Sequence, residues 1–188
     1  MGHPHIALIG KARAGKDTIA ERLVSRFQYT CLAFADPLKD MLLRIDPLVM
    51  DRVGLGAVRL SEVVDTKGWE AVKDQHPESR RLLQHLGQNL RDVDPEFWVR
   101  MLVEKVRAAD RWGLPVVVSD VRYPNEAEAL RKAGFRLVRV IRGGRAGATS
   151  PASGHESETV QDEIFADRTV FNLSTREALH AEADALVR

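Results

Sequence analysis

A glycine-bounded segment near the start of the chain constrains the fold more than any other feature. The apolar run Ile6–Ile9 leads into Gly10-Lys-Ala-Arg-Ala-Gly15-Lys16, and apolar residues at helical spacing follow over positions 18 to 27. Glycines at this spacing let successive backbone N–H groups point at phosphate oxygens, and the lysine adds a mobile positive charge. The order strand, loop and helix therefore predicts a phosphate-binding loop, which indicates a nucleotide site.

One position of this loop departs from the usual pattern. The residue after the lysine is normally Ser or Thr, whose hydroxyl group ligates Mg²⁺, but here Asp17 occupies that position and Thr18 follows it. Three interpretations stay open: Asp17 orders a metal-bound water, Thr18 reaches the metal, or the loop is shifted by one residue. The predicted nucleotide-binding residues are Gly10, Lys11, Ala12, Arg13, Ala14, Gly15, Lys16, Asp17 and Thr18.

Composition excludes several classes of function. A chain of 188 residues is long enough to bury a core, and a net charge of +1 argues against a dedicated nucleic-acid binder, which would carry a large excess of Lys and Arg. No apolar run approaches the roughly 20 residues of a membrane helix, and the N-terminal residues lack the basic segment followed by an extended apolar one that is typical of a signal peptide. The single cysteine, Cys31, excludes an internal disulfide, and we expect it to be buried on a strand. We therefore expect a cytoplasmic protein that binds small molecules, with neither nucleic acid nor a membrane as partner.

The rest of the chain alternates between predicted strands and helices. This alternation predicts an α/β fold, a three-layer α/β/α sandwich in which helices cover both faces of a five-stranded parallel sheet. We expect Pro37 to start the helix after the second strand, with Asp36 as its cap, and Ser174 to cap the last helix. The predicted strands span residues 6–9, 29–35, 114–120, 135–141 and 167–173.

Charged residues follow two of these strands, at the edge of the sheet where α/β proteins bind ligands. Asp120 ends the most apolar strand, the arrangement that provides a metal-organising or proton-accepting carboxylate downstream of a phosphate loop. Arg122 follows closely enough to bind a phosphate at the same edge. Asp36 is either only a helix cap or a second carboxylate of the cleft, and Lys39 faces either this cleft or solvent.

Two segments do not fit the alternation. Residues 46–78 lack sustained periodicity, and we interpret them as a segment that could cover a substrate, with Lys67 and Trp69 as the residues to inspect. Residues 142–158 are rich in Gly, Ser and Ala, with Arg142 and Arg145 at their base. They form either a flexible surface loop or a lid that closes over bound phosphates and excludes water, and we favour the lid.

Four sequence motifs, taken together, resemble one protein family. They are Gly10-Lys-Ala-Arg-Ala-Gly-Lys-Asp-Thr18, Phe34-Ala-Asp-Pro-Leu-Lys39, Leu86-Gly-Gln-Asn-Leu-Arg91 with Asp94-Pro95 after it, and Ser119-Asp-Val-Arg-Tyr-Pro-Asn-Glu126; His155-Glu-Ser-Glu158 is a weaker fifth. The chain resembles the phage-type deoxynucleoside monophosphate kinases of the P-loop nucleoside-monophosphate-kinase-like group. Animal-type phosphomevalonate kinases are similar, since they share Gly-Lys-Asp, Pro-Leu-Lys, an arginine ahead of Asp-Pro, and Ser-Asp-x-Arg.

The resemblance implies a P-loop kinase domain over residues 1–188 that transfers the γ-phosphoryl group of ATP·Mg²⁺ to the 5′-phosphate of a deoxynucleoside monophosphate. A phage-encoded enzyme would work in the host cytoplasm. Independently of the resemblance, paired predicted helices with exposed apolar residues are consistent with a homodimer. The alternatives are a kinase for another small phosphate ester, such as phosphomevalonate, and a P-loop switch module without phosphotransfer. The expected catalytic residues are Lys16, Asp120, Arg122, Arg142 and Arg145; the substrate-binding residues are Asp36, Lys39, Lys67, Arg91, Arg122 and Arg139; and the metal-binding residues are Asp17, Thr18 and Asp120.

Overall fold

The computed structural model describes residues 2–50, 56–143 and 160–188, which divide into two compact units. The first unit comprises the chain up to Phe34 together with Val99–Arg188, and the second is Ala35–Trp98. In chain order the described elements are β1 (Ile6–Ile9), α1 (Lys16–Phe27), β2 (Thr30–Leu32), α2 (Ala35–Ile45), β3 (Leu48–Met50), β4 (Ala57–Arg59), α3 (Leu60–Gln75), α4 (Pro77–Val93), α5 (Phe97–Arg111), β5 (Val116–Val121), α6 (Pro124–Lys132), β6 (Arg136–Arg142), a short 3₁₀ turn (Gln161–Glu163), β7 (Arg168–Asn172) and α7 (Arg176–Ala185).

The first unit contains the predicted five-stranded parallel sheet. Its strand order is β2-β5-β1-β6-β7, and each pair of neighbouring strands runs parallel. Because the strands are parallel, their carboxyl ends share one edge, the edge at which open α/β sheets bind ligands. The structure therefore confirms the predicted fold class and brings the ends of β1 and β5 side by side.

Apolar side chains on both faces explain why the central strand reads as an unbroken apolar run. All four residues of β1 are fully buried, so neither face of this strand meets solvent. Helices α1 and α7 cover one face, where Ile19, Leu23, Leu179 and Ala183 pack in the same buried cluster as the strand residue Leu8. The helix that follows the phosphate loop is thereby held against the sheet.

A bidentate ion pair joins these two covering helices. The guanidinium group of Arg22 on α1 donates to both carboxylate oxygens of Asp184 on α7, each at 2.8 Å, and Arg26 Nε lies 3.5 Å from Oδ2. The hydrogen bonds from Arg22, with the nearby positive charges, hold the pKa of Asp184 below its ordinary value. Planar pairs of this kind are stronger than single contacts between exposed charges.

We expect Asp184→Asn to lower the Tm by a few degrees at neutral pH. The pKa of Asp184 is depressed in the folded state, so the ion pair stabilises the protein above the unfolded pKa, about 4, and this stabilisation disappears as the pH falls through the folded pKa. The difference in Tm between wild type and variant should therefore shrink below about pH 4. Thermal denaturation followed by circular dichroism from pH 7 to pH 3 measures it. An equal difference at both extremes would contradict the prediction.

The second unit folds around a small core of its own. Strands β3 and β4 form an antiparallel pair, with Val49 opposite Val58, and buried residues of the hairpin and of the helices pack together. This core consists of Leu42, Val49, Leu60, Val63 and Val72. The unit therefore has its own apolar interior.

Residues 46–78 lack a sustained sequence pattern for a physical reason that the structure shows. They contain the β3–β4 hairpin and the helix α3, and α3 is interrupted at Gly68, whose backbone (φ 75°, ψ 160°) is not helical. An interruption in mid-helix shifts the apolar stripe, so no single period extends along the segment. Its predicted role over a substrate stays a prediction, and residues 51–55 of the segment lie outside the described residues.

Three local predictions were wrong. The second strand ends at Leu32 and α2 already begins at Ala35, so Asp36 lies within the first turn of that helix rather than ahead of it. Thr175, not Ser174, caps α7, because its side chain accepts the Ala178 N–H. Cys31 is exposed, because it lies on β2, an edge strand of the described sheet.

Within the described ranges, no helix is long and apolar enough to cross a membrane.

Candidate phosphate-binding site

The loop between β1 and α1 has a backbone that only glycine can form at its two ends. Gly10 has φ 151° and Gly15 has φ 109°, both unfavourable for L side chains. A Cβ atom at Gly10 would overlap the carbonyl oxygen of Val140, and one at Gly15 would lie 2.7 Å from Asn172 Nδ2 and 2.9 Å from Leu179 Cδ2. The ends of β6 and β7 thus lie too close for any side chain at these two positions.

Lys16 begins α1 and turns its ammonium group back onto the loop. Its Nζ donates to the carbonyl oxygens of Gly10 at 2.6 Å and Lys11 at 2.9 Å. The loop therefore concentrates a full positive charge beside the N-terminus of a 12-residue helix, whose dipole adds partial positive charge at the same end. This arrangement is suited to binding an anionic group such as a phosphate.

Asp120 lies near the end of β5, the strand next to β1, and is fixed by the backbone of Phe34. Its Oδ1 accepts the Phe34 N–H at 2.8 Å. This carboxylate and the loop border the same small pocket, which has a volume of about 40 Å³. The residues lining the pocket are Gly10, Ala12, Lys16, Asp120, Val121, Arg122 and Gln161. Three predicted catalytic residues, from the loop and from the end of β5, therefore border one pocket.

Gln161 was missed by the sequence analysis. Its side chain is 3% exposed and borders the same pocket, although it lies 145 positions after Lys16. It belongs to a short 3₁₀ turn without any pattern, so no sequence feature could have found it. A carboxamide in this place offers both a donor and an acceptor to a bound molecule.

Glu126 holds the loop that carries Arg122. Its side chain is 2% exposed, and Oε2 accepts the backbone N–H groups of Arg122 at 2.8 Å and Tyr123 at 3.1 Å. The third residue of a helix often binds the N–H of the residue before that helix in this way. The backbone at Arg122 is therefore fixed by hydrogen bonds, while its exposed side chain extends from this support.

The two predicted site arginines of β6, Arg139 and Arg142, contact other parts of the chain. The Arg139 guanidinium donates to the carbonyl oxygens of Gln161, at 3.1 Å, and Ile164, and lies 3.7 Å from Asp162 Oδ1, so it holds the turn before β7. Arg142 Nη1 donates to the carbonyl oxygen of Arg13 in the phosphate loop at 3.1 Å. Their predicted roles with substrate stay predictions. Arg145, with residues 144–158 of the predicted lid, lies outside the described residues.

The remaining predicted substrate-binding residues belong to the second unit. Lys39 Nζ lies 3.7 Å from Asp36 Oδ1 one turn earlier on α2. Lys67, an exposed residue of α3, donates to Gln75 Oε1 at 3.1 Å, and Arg91 lies half-buried near the end of α4. Their binding of substrate likewise stays a prediction.

The residues at the loop fit a nucleotide with its magnesium ion. Asp17 is exposed and Thr18 half-buried in the first turn of α1, and all three interpretations of this position stay open. Within the described part of the chain, no three His, Cys, Asp or Glu side chains gather as a metal-binding cluster. Mg²⁺ at nucleotide sites is held by one or two protein oxygens with phosphates and waters, and the carboxylate of Asp120 beside a glycine cradle suits that set.

Viral proteins are among the sequence relatives of this chain. It is 40% identical over 103 residues to the uncharacterised protein ORF77 of Ictalurid herpesvirus 1 (strain Auburn), a match that covers 54% of this chain and 44% of that protein. This chain thus spans less than half the length of that relative. It is 28% identical over 172 residues, 83% of each protein, to a protein of Acanthamoeba polyphaga mimivirus named provisionally as a deoxynucleotide monophosphate kinase. No model of a known protein family matches the chain.

Solved kinase structures share the fold. Dephospho-CoA kinase from Campylobacter jejuni matches with a TM-score of 0.55 at 9% identity, covering 98% of this chain and 95% of that one. A sugar kinase from Janibacter sp. HTCC2649 matches with a TM-score of 0.50 at 13% identity, covering 98% and 94%. The fold is therefore that of the P-loop kinases. The mimivirus relative confirms the resemblance to deoxynucleotide monophosphate kinases that the sequence motifs predicted.

Proposed function

We propose that this protein is a P-loop kinase that transfers the γ-phosphoryl group of ATP to a deoxynucleoside monophosphate. The observation that carries the proposal is that the glycine loop, Lys16, Asp120 and Arg122 border the same pocket. The name of the mimivirus relative and the kinase fold support it. The identity of the acceptor rests on the sequence motifs and on the name of that relative.

The phosphate loop binds and orients the donor in this proposal. Its backbone N–H groups and the helix N-terminus bind phosphate oxygens, and the Lys16 ammonium exchanges its two carbonyl partners for phosphate. Such an exchange replaces neutral acceptors with a charged one, which makes the stronger hydrogen bond. Phosphoryl transfer needs this alignment and neutralisation of charge more than it needs covalent help from the protein.

The residues at the end of β5 complete the donor site. Asp120, together with Asp17 or Thr18, would hold magnesium, and a magnesium ion bound there neutralises phosphate charge. Arg122 binds the acceptor phosphate from a loop that Glu126 fixes. An acceptor phosphate is already an anionic nucleophile at neutral pH, so none of these residues has to act as a strong base.

The remaining residues bind the acceptor or close the site. We assign Asp36, Lys39, Lys67 and Arg91 to the acceptor on the resemblance and the sequence pattern. Arg139, Arg142 and Arg145 would serve at the base of the lid. Four of these seven residues are arginines, and the planar guanidinium group of arginine can bind two phosphate oxygens at once.

A coupled ADP-release assay tests the proposal directly. The purified chain is supplied with ATP and Mg²⁺ and then with dAMP, dGMP, dCMP, dTMP, the four ribonucleotides or phosphomevalonate. We expect at least one deoxynucleotide to raise ADP release well above the rate with ATP alone. A response to phosphomevalonate alone would contradict the acceptor while retaining phosphotransfer. No response to any acceptor would contradict phosphotransfer itself and favour the switch module.

A further inference from the structure

Two side chains from neighbouring strands hold consecutive carbonyl groups of the phosphate loop. Arg142 and Asn172 are paired in register near the carboxyl ends of β6 and β7. Arg142 Nη1 donates to the carbonyl oxygen of Arg13 at 3.1 Å, and Asn172 Nδ2 donates to that of Ala14 at 3.0 Å. Asn172 was not among the predicted site residues, whereas Arg142 was predicted as a catalytic residue at the base of the lid.

These contacts determine where the adjoining N–H groups point. In a trans peptide the C=O of one residue and the N–H of the next point in opposite directions, and the described residues contain no cis peptide. A hydrogen bond that directs the Ala14 carbonyl toward β7 therefore directs the Gly15 N–H away from β7. In the same way, the bond from Arg142 to the Arg13 carbonyl directs the Ala14 N–H away from that guanidinium, and this N–H donates within the loop to the Lys11 carbonyl oxygen at 3.2 Å.

The loop needs such support because its backbone is unfavourable by itself. Arg13 has φ 61°, a left-handed conformation that costs a non-glycine residue free energy. Asn172 is itself held in place, because its backbone oxygen accepts the Gly143 N–H at 3.1 Å. It also lies so close to Gly15 that a Cβ atom there would overlap it. The end of β7 thus supports the loop by both contact and hydrogen bonding.

We propose that Asn172, with Arg142, is a positioning residue that presets the phosphate loop, and in particular the Gly15 N–H, for phosphate binding before a nucleotide arrives. The inference rests on the proposed function, because it assumes that the loop binds phosphates. A preset loop loses less conformational freedom on binding, so the same contacts give a higher affinity. Asn172 is the better residue to test, since Arg142 could also contact phosphate directly.

Calorimetric titration of Asn172→Ala with inorganic tripolyphosphate and with ADP tests this proposal. We expect the Kd of both ligands to rise about tenfold, the effect of losing one partly buried hydrogen bond that orients a binding group. Asn172→Ser removes the amide donor with a smaller change and replaces the alanine variant if that variant does not fold. Each titration is run well below the Tm of the variant, so that loss of folded protein does not contribute.

Asp184→Asn is the matched control, because it weakens the packing of α7 on α1 without touching the loop. We expect it to lower the Tm while leaving both Kd values unchanged. Affinities of the Asn172 variants within twofold of wild type, or an equal loss in Asp184→Asn, would overturn the positioning role and leave the proposed function standing. Wild-type protein that binds neither ligand would overturn the proposed function, and the positioning role with it.

Discussion

Replacement of Lys16 by alanine should lower kcat by about a thousandfold or more while the protein stays folded, since removal of one cation from the transferred phosphoryl group has effects of this order. The ammonium group already lies at the loop, 2.6 Å from the Gly10 carbonyl oxygen, so it needs little movement to reach a phosphate. Folding should be little affected, because the side chain is only half-buried and alanine favours the helix that starts there. The coupled assay measures the rate, and thermal denaturation measures the fold.

Lys132→Ala is the matched control for this variant. Lys132 is an exposed residue of α6 whose ammonium group lies 2.7 Å from Glu128 one turn earlier, and exposed pairs of this kind contribute little to stability. The control removes the same charge from the same type of element, so wild-type activity is expected. If Lys16→Ala kept kcat within tenfold of wild type, the loop would not be the donor site.

Asp120→Asn should lower kcat by about a hundredfold or more and make turnover need more Mg²⁺, because a neutral amide is a poorer magnesium ligand than a carboxylate. The substitution is chosen because the Asp120 oxygen accepts the Phe34 N–H at 2.8 Å, and the amide oxygen of asparagine can accept it too. The structural bond is thereby kept and only the charge is removed. Measurement of kcat across a magnesium titration reports the role of the carboxylate charge. The Tm reports the role of the hydrogen bond to the Phe34 N–H.

Two further variants complete this test. Asp120→Ala removes the charge and the acceptor together, so it should lose stability as well as activity. Asp184→Asn makes the same chemical change far from the loop and should retain the wild-type dependence on magnesium. A wild-type rate and magnesium dependence in Asp120→Asn would show that the carboxylate only anchors the Phe34 backbone.

Local patterns were sufficient for the elements that identify the class of protein. The phosphate loop is formed by contiguous residues. Its glycines adopt backbone conformations that other residues rarely adopt, such as φ 109° at Gly15, so their spacing is visible in the sequence. The central strands are buried on both faces, so β1 and β5 appear as apolar runs. Asp120 could be predicted because it ends such a run. The sequence did not predict elements that depart from a regular pattern, such as the helix α3, which is interrupted at Gly68.

What the sequence by itself determined is the set of parts: a phosphate loop, an acid after a buried strand, and enough strands for a parallel sheet. The tertiary structure alone decided which distant residues support those parts. Asn172 contacts the loop across 158 positions of sequence, and the 3₁₀ turn with Gln161 is brought to the pocket by the pairing of β6 with β7. A helix or strand repeats with a period that a single segment reveals, whereas strand order and the contacts it creates depend on packing between segments far apart in the chain.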